Sequence, residues 1–152
     1  MKNHSLLHPI LLIEDNPFDL DLTLRAFKHR NLTNPIEVAR DGAEAMEWIE
    51  KFKNGAQLPV VILLDLKLPK YSGLEVLRAI KSIEELKAIP VVILSSSSSD
   101  SDVNDAYKLG ANSYIVKPVD FEKFIDVAAQ IDLYWNVLNK TSFAKYDYKY
   151  IV

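Results

Sequence analysis

Val60-Val61-Ile62-Leu63-Leu64 runs without a break into Asp65-Leu66-Lys67-Leu68-Pro69. The apolar run is too short for a helix of ordinary length and too continuous for a strand with one wet face. A strand buried on both faces belongs to a parallel sheet covered by helices on either side. Ile10-Leu11-Leu12-Ile13 and Val91-Val92-Ile93-Leu94 have the same character. Ile36-Glu37-Val38-Ala39 and Ser113-Tyr114-Ile115-Val116 are weaker strand candidates.

Helical patterns with start signals fill the gaps. Asn16-Pro17 sets a capping residue before a helix-opening proline. Asp41 with Glu44 and Ser72 with Glu75 have capping-box spacing, the second being the stricter match. Ser99 or Asp100 caps a helix ending near Leu109, where Gly110 supplies the left-handed C-terminal residue. A last helix starts at Asp120, with Phe121, Phe124, Ile125, Ala128, Ile131, Trp135 and Leu138 on one face. The order β-α, repeated five times, gives right-handed crossovers and a doubly wound α/β fold.

The totals agree with one ordinary domain. The chain has 152 residues, of which 49% are hydrophobic and 26% charged, so a self-sufficient core is within reach. There is no cysteine, which excludes disulfides, cysteine-ligated zinc and thiol nucleophiles. A formal net charge of −3 argues against a nucleic-acid partner, which would favour a basic face. No run approaches the roughly 18 apolar residues of a membrane span. Residues 1–8, an N-terminal extension, lack the sustained apolar core of a secretory signal. A cytoplasmic protein without membrane contact is expected.

In such folds ligands bind beyond the carboxyl ends of the strands, where strand order reverses. At those ends stand Glu14 and Asp15, then Asp65, then Ser95, then Lys117-Pro118. Clustered carboxylates repel one another and hold their protons more tightly, unless a cation relieves the conflict. Oxygen ligands without His or Cys suit Mg2+. A carboxylate there is a competent nucleophile toward a phosphoryl group. That transfer needs charge neutralisation and alignment more than proton chemistry. Mg2+, the Lys117 ammonium and the Ser95 hydroxyl could each neutralise or bond one phosphoryl oxygen.

From Pro9 to Asn139 the sequence resembles the response-regulator receiver family of two-component systems. The resemblance rests on Glu14-Asp15, on Asp65-Leu66-Lys67-Leu68-Pro69 followed by Ser72-Gly73, and on Ser95, Tyr114 and Lys117 in order and at the usual spacing. It implies a flavodoxin-like (βα)5 sandwich with strand order 2-1-3-4-5. Asp65 would be the phosphoacceptor. Asp15, Asp65 and the backbone carbonyl of Lys67 would ligate Mg2+, with Glu14 acting mainly through water. Lys117 would pair with the phosphoryl group, and its bond to Pro118 would be cis. Ser95 would move toward a phosphoryl oxygen, and Tyr114 would rotate into the space it leaves. A histidine kinase or a histidine phosphotransfer protein is the implied partner. Self-catalysed phosphorylation and dephosphorylation, without turnover of an external substrate, is the implied activity.

Blander readings exist for each residue. Glu14-Asp15 alone also reads as solvated loop charge, Lys117 as a surface lysine before a proline, and Tyr114 as core. Ser95 is followed by four more serines, and its place at the strand end selects it. His4, His8 and His29 have no metal-like spacing. A haloacid-dehalogenase-type phosphatase also uses an Asp after a buried strand. It needs a second carboxylate two residues on, where this chain has Lys67. Dinucleotide and P-loop sites lack their glycines.

Residues 140–152 form an aromatic tail with Phe143, Tyr146, Tyr148 and Tyr150, too short for a DNA-binding output module. Such a tail can pack back on the domain, pair with another chain as an added strand or stay disordered. With Tyr134 and Trp135 it makes a homodimer through the last helix, the fifth strand and the tail one expectation. The Tyr-Trp pair also resembles the small stand-alone regulators that partner bacterial phytochromes.

Overall fold

The computed structural model describes residues 8–117 and 120–133. Strands β1 (Ile10–Ile13), β2 (Ile36–Ala39), β3 (Val61–Leu64), β4 (Val91–Ser95) and β5 (Ser113–Val116) alternate with helices α1 (Pro17–His29), α2 (Gly42–Lys53), α3 (Gly73–Ser82), α4 (Asp100–Lys108) and α5 (Phe121–Ile131). All strand pairings are parallel, in the order β2-β1-β3-β4-β5. The (βα)5 expectation holds, with β3 starting one residue late and β4 running on to Ser95.

Successive strand residues point to opposite faces, and two cores result. Leu11, Ile13, Ile62, Leu64 and Ile93 pack under Ile49 and Phe52 of α2, Val76, Leu77 and Ile80 of α3, and Ala106 of α4. Ile10, Leu12, Val61, Leu63 and Val92 pack under Phe27 of α1 and Phe124, Ala128 and Ile131 of α5. Full burial of one such large aliphatic or aromatic side chain contributes about 1.5–3 kcal/mol. β1, β3 and β4 are buried along their whole length, whereas β2 and β5, at the sheet edges, are mostly half-buried.

The helix starts follow their capping signals. Asn16 Oδ1 accepts from the backbone N–H of Phe18 and Asp19, and Ser72 forms the full capping box with Glu75. Asp41 accepts from the Glu44 N–H, but Glu44 reaches past the cap to the N–H of Arg40. Ser99 rather than Asp100 caps α4, and Asp120 is the cap of α5 rather than its first residue. Gly110 has φ of 103°, the left-handed conformation expected after α4. The last-helix residues Tyr134, Trp135 and Leu138, the tail, and the Lys117–Pro118 bond with its expected cis form lie outside the described residues.

Candidate functional site

The chain leaves β1 toward β2 on one side and returns to β3 on the other, so a crevice opens between the ends of β1 and β3. Glu14 and Asp15 follow β1 directly, and Asp65 follows β3. The Asp65 backbone N–H donates to the Ile13 carbonyl at 3.1 Å, stitching the two strand ends together. One carboxylate oxygen from each of Glu14, Asp15 and Asp65 lies within 4.8 Å of the others. Glu14 and Asp65 are buried, while Asp15 is exposed to solvent.

Gly73 fixes the wall beside Asp65. Its N–H donates to the Leu66 carbonyl at 2.8 Å, and a Cβ there would stand 2.2 Å from the Asp65 carbonyl oxygen. Only a residue without a side chain fits that approach. Lys67 follows closely, its N–H donating to Asp65 Oδ1 at 3.3 Å.

Lys117 enters from the end of β5, with its N–H donating to the Ser95 carbonyl at 2.7 Å. Its ammonium meets Glu14 Oε1 at 2.5 Å, Asp19 Oδ2 at 2.8 Å and Asp65 Oδ2 at 2.9 Å. An ammonium has three N–H donors, and here all three have a carboxylate. Burial of Lys117 works against its charge. The bonds to Asp19, Glu14 and Asp65 outweigh that and hold its pKa above the ordinary lysine value.

Glu14 moves the other way. Burial, reinforced by the bond and charge of Asp65 and only partly offset by Lys117, pushes its pKa up to about 8. One ammonium among four carboxylates leaves a negative surplus. A divalent cation at Glu14, Asp15 and Asp65 would cancel it, and an all-oxygen donor set fits Mg2+ or Mn2+ rather than zinc. Sequence reasoning missed Asp19, which lies on the first turn of α1 and reads there as an ordinary helix-dipole acid.

Ser95 and Tyr114 belong to a neighbouring cluster. Ser95 is fully buried at the end of β4, and its hydroxyl oxygen accepts from the Ser97 N–H at 3.2 Å. The half-buried Tyr114 donates its hydroxyl to the Ser97 carbonyl at 2.7 Å. Ser97 Oγ in turn donates to Asp102 of α4 at 2.5 Å. The loop between β4 and α4 is thus tied to β5 and α4 through Ser97.

A family model for the response regulator receiver domain matches residues 10–129. The chain belongs to the response regulator receiver family. A curated relative of this receiver is the probable methanogenesis regulatory protein FilR2 of Methanothrix harundinacea (strain 6Ac), 44% identical over 87% of this chain and 86% of its own length. Among solved structures, the phosphorylated cyanobacterial phytochrome response regulator RcpA is 36% identical over 89% of this chain and 98% of its own, with a TM-score of 0.82. The Mn2+-bound form of response regulator Rcp1 is 33% identical over 89% and 99%, with a TM-score of 0.79. Among the described residues of this receiver, no helix is long and apolar enough to cross a membrane.

Proposed function

We propose that this receiver is a phosphorylatable switch in which Asp65 takes a phosphoryl group from a phosphohistidine. The observation that carries the proposal is the buried Asp65 carboxylate, with the Lys117 ammonium 2.9 Å from Oδ2 and two further carboxylates grouped beside it. An Asp65 oxygen attacks phosphorus in line with the leaving group. The new O–P bond forms as the donor's P–N bond breaks, and the imidazole departs with the bonding pair. Glu14, Asp15, Asp65 and the Lys67 backbone carbonyl would hold a magnesium ion, which would supply neutralising charge for the phosphoryl oxygens.

Lys117 turns from Asp65 toward a second phosphoryl oxygen, and the Ser95 hydroxyl donates to a third. Drawing Ser95 toward Asp65 pulls on Ser97, which bonds to Ser95 Oγ and carries the carbonyl that holds Tyr114. Tyr114 then turns inward, and the surface of α4, β5 and α5 changes. Hydrolysis of the acyl phosphate resets the switch, so the protein acts on its own Asp65 and turns over no external substrate.

The donor is a histidine kinase or a histidine phosphotransfer protein in the cytoplasm. Similarity to RcpA favours a kinase of the phytochrome type. Output is a protein contact, onward phosphotransfer, or a homodimer using β5, α5 and the tail. The exposed edge residue Val116 supports β5 as part of that face.

The test is labelling by acetyl phosphate with Mg2+. Wild type gains a hydroxylamine-sensitive phosphoryl label, and Asp65→Asn loses it. Full labelling of Asp65→Asn overturns the assignment.

A further inference from the structure

Of the three carboxylates on the Lys117 ammonium, two serve a second purpose. Glu14 and Asp65 belong to the grouped oxygens that can hold a cation, together with Asp15. Asp19 stands outside that group among the described residues. Its contact in the site is to Lys117, at 2.8 Å. The pairing is well enclosed, since the Lys117 side chain is 7% exposed and that of Asp19 is 29% exposed. It joins the first turn of α1 to the end of β5.

We propose that Asp19 is the resting counter-ion of Lys117, holding one ammonium N–H on the α1 side of the site so that a phosphoryl group on Asp65 must win the lysine from it. This rests on the phosphoacceptor reading of Asp65. The physical basis is competition for the position of the ammonium. In cation-free protein all three N–H groups are committed. A cation at Glu14, Asp15 and Asp65 would draw two of those carboxylates away, freeing two N–H groups but leaving Asp19 as the remaining anion that holds the ammonium toward α1. Asp19 also adds negative charge close to where a phosphate anion must sit, which repels it in so enclosed a place. Asp19 is a positioning residue that tempers the switch and keeps the unphosphorylated state at rest.

The fold tolerates its neutralisation. The Asp19 backbone already serves the helix, with its N–H on Asn16 Oδ1 and its carbonyl accepting from Thr23 Oγ1. Asp19→Asn leaves those bonds intact and keeps the side chain's shape. Asp21 provides the control. It sits on the same helix, pairs with Arg25 at 2.9 Å, and both of those side chains are mostly exposed. Asp21→Asn therefore makes the same change in net charge away from Lys117.

The test compares wild type, Asp19→Asn, Asp19→Glu and Asp21→Asn. The readouts are affinity for beryllofluoride as a phosphoryl mimic at saturating Mg2+, Mg2+ affinity alone, and the ammonium NMR signal of Lys117 in cation-free protein. Asp19→Asn is expected to bind beryllofluoride about five- to tenfold more tightly, with Mg2+ affinity changed less than twofold and the Lys117 signal broadened by faster exchange. Asp19→Glu should return toward wild type, and Asp21→Asn should match it.

Unchanged or weaker beryllofluoride binding in Asp19→Asn overturns the proposal. So does an equal gain in Asp21→Asn, which would assign the effect to overall charge. Failure of wild type itself to bind beryllofluoride would count against the Asp65 reading instead, so the two outcomes are separable.

Discussion

Two largely enclosed lysines mark the difference between a site and a strut. Lys117 and Lys81 each give all three N–H groups to oxygen. Lys117 meets the carboxylates of Glu14, Asp19 and Asp65. Lys81, in the last turn of α3, meets the carbonyls of Lys87 and Ile89 and the side-chain oxygen of Asn112. Burial lowers the pKa of Lys81, because neutral dipoles only partly replace water. The carboxylates around Lys117 outweigh the same penalty and raise its pKa. Lys81 ties together the backbone of the α3–β4 connection, and Asn112 also accepts from the Val91 N–H, so the tie reaches the start of β4. On the proposed function, Lys117 is held by partners that a cation or a phosphoryl group would draw away. Equal donor counts would then serve rigidity in one place and exchange in the other.

The largest break in this contrast comes from Lys117→Ala. Removing the ammonium leaves buried carboxylates facing one another, which costs about 3–5 kcal/mol in cation-free protein. Mg2+ should restore part of that loss in chemical denaturation. The variant should still accept some phosphate from a small donor, yet show none of the shift in conformation or oligomeric state on phosphorylation. Normal switching by Lys117→Ala would remove the coupling role of this lysine.

A pH series sharpens the same point. Glu14 has a folded pKa of about 8 against an ordinary 4.5. A carboxyl raised on folding contributes stability that is complete below the ordinary value and is lost as pH rises to the folded one. Lys117 is raised too, but its contribution is lost only at still higher pH. Cation-free protein should therefore lose about 2 kcal/mol between pH 6 and pH 8. Mg2+ affinity should climb over the same range, since binding expels the Glu14 proton. Flat stability from pH 6 to 9 would show that Glu14 is ionised throughout.

Lys81→Met gives the smallest effect. The stem keeps its packing, while two carbonyls and the Asn112 amide lose a donor, at about 1–2 kcal/mol. Labelling of Asp65 should stay within twofold of wild type. A large change in labelling would erase the distinction between strut and site.

What the sequence disclosed follows from where each residue's physics is local. β1, β3 and β4 were legible because burial on both faces leaves an unbroken apolar run, and β2 and β5 were fainter because an edge strand keeps one side partly wet. Glu14, Asp15, Asp65 and Lys117 were legible because a parallel sheet brings strand ends to one edge. Asp19 was not, since its reach to Lys117 depends on how α1 lies across the sheet and spans most of the chain. The hold of Ser97 on Tyr114 was equally hidden. It comes from the path of a loop through a serine run that offers several equivalent hydroxyls.

Asp65 as the residue that receives the phosphoryl group is the centre on which these roles depend. Borohydride reduces an acyl phosphate to the corresponding alcohol and so marks the carboxylate that carried it. Wild-type protein phosphorylated in Mg2+, reduced in this way and mapped by peptide mass should be altered at Asp65, with Glu14, Asp15 and Asp19 unchanged. An altered Asp15 or Asp19 beside an intact Asp65 would contradict that assignment.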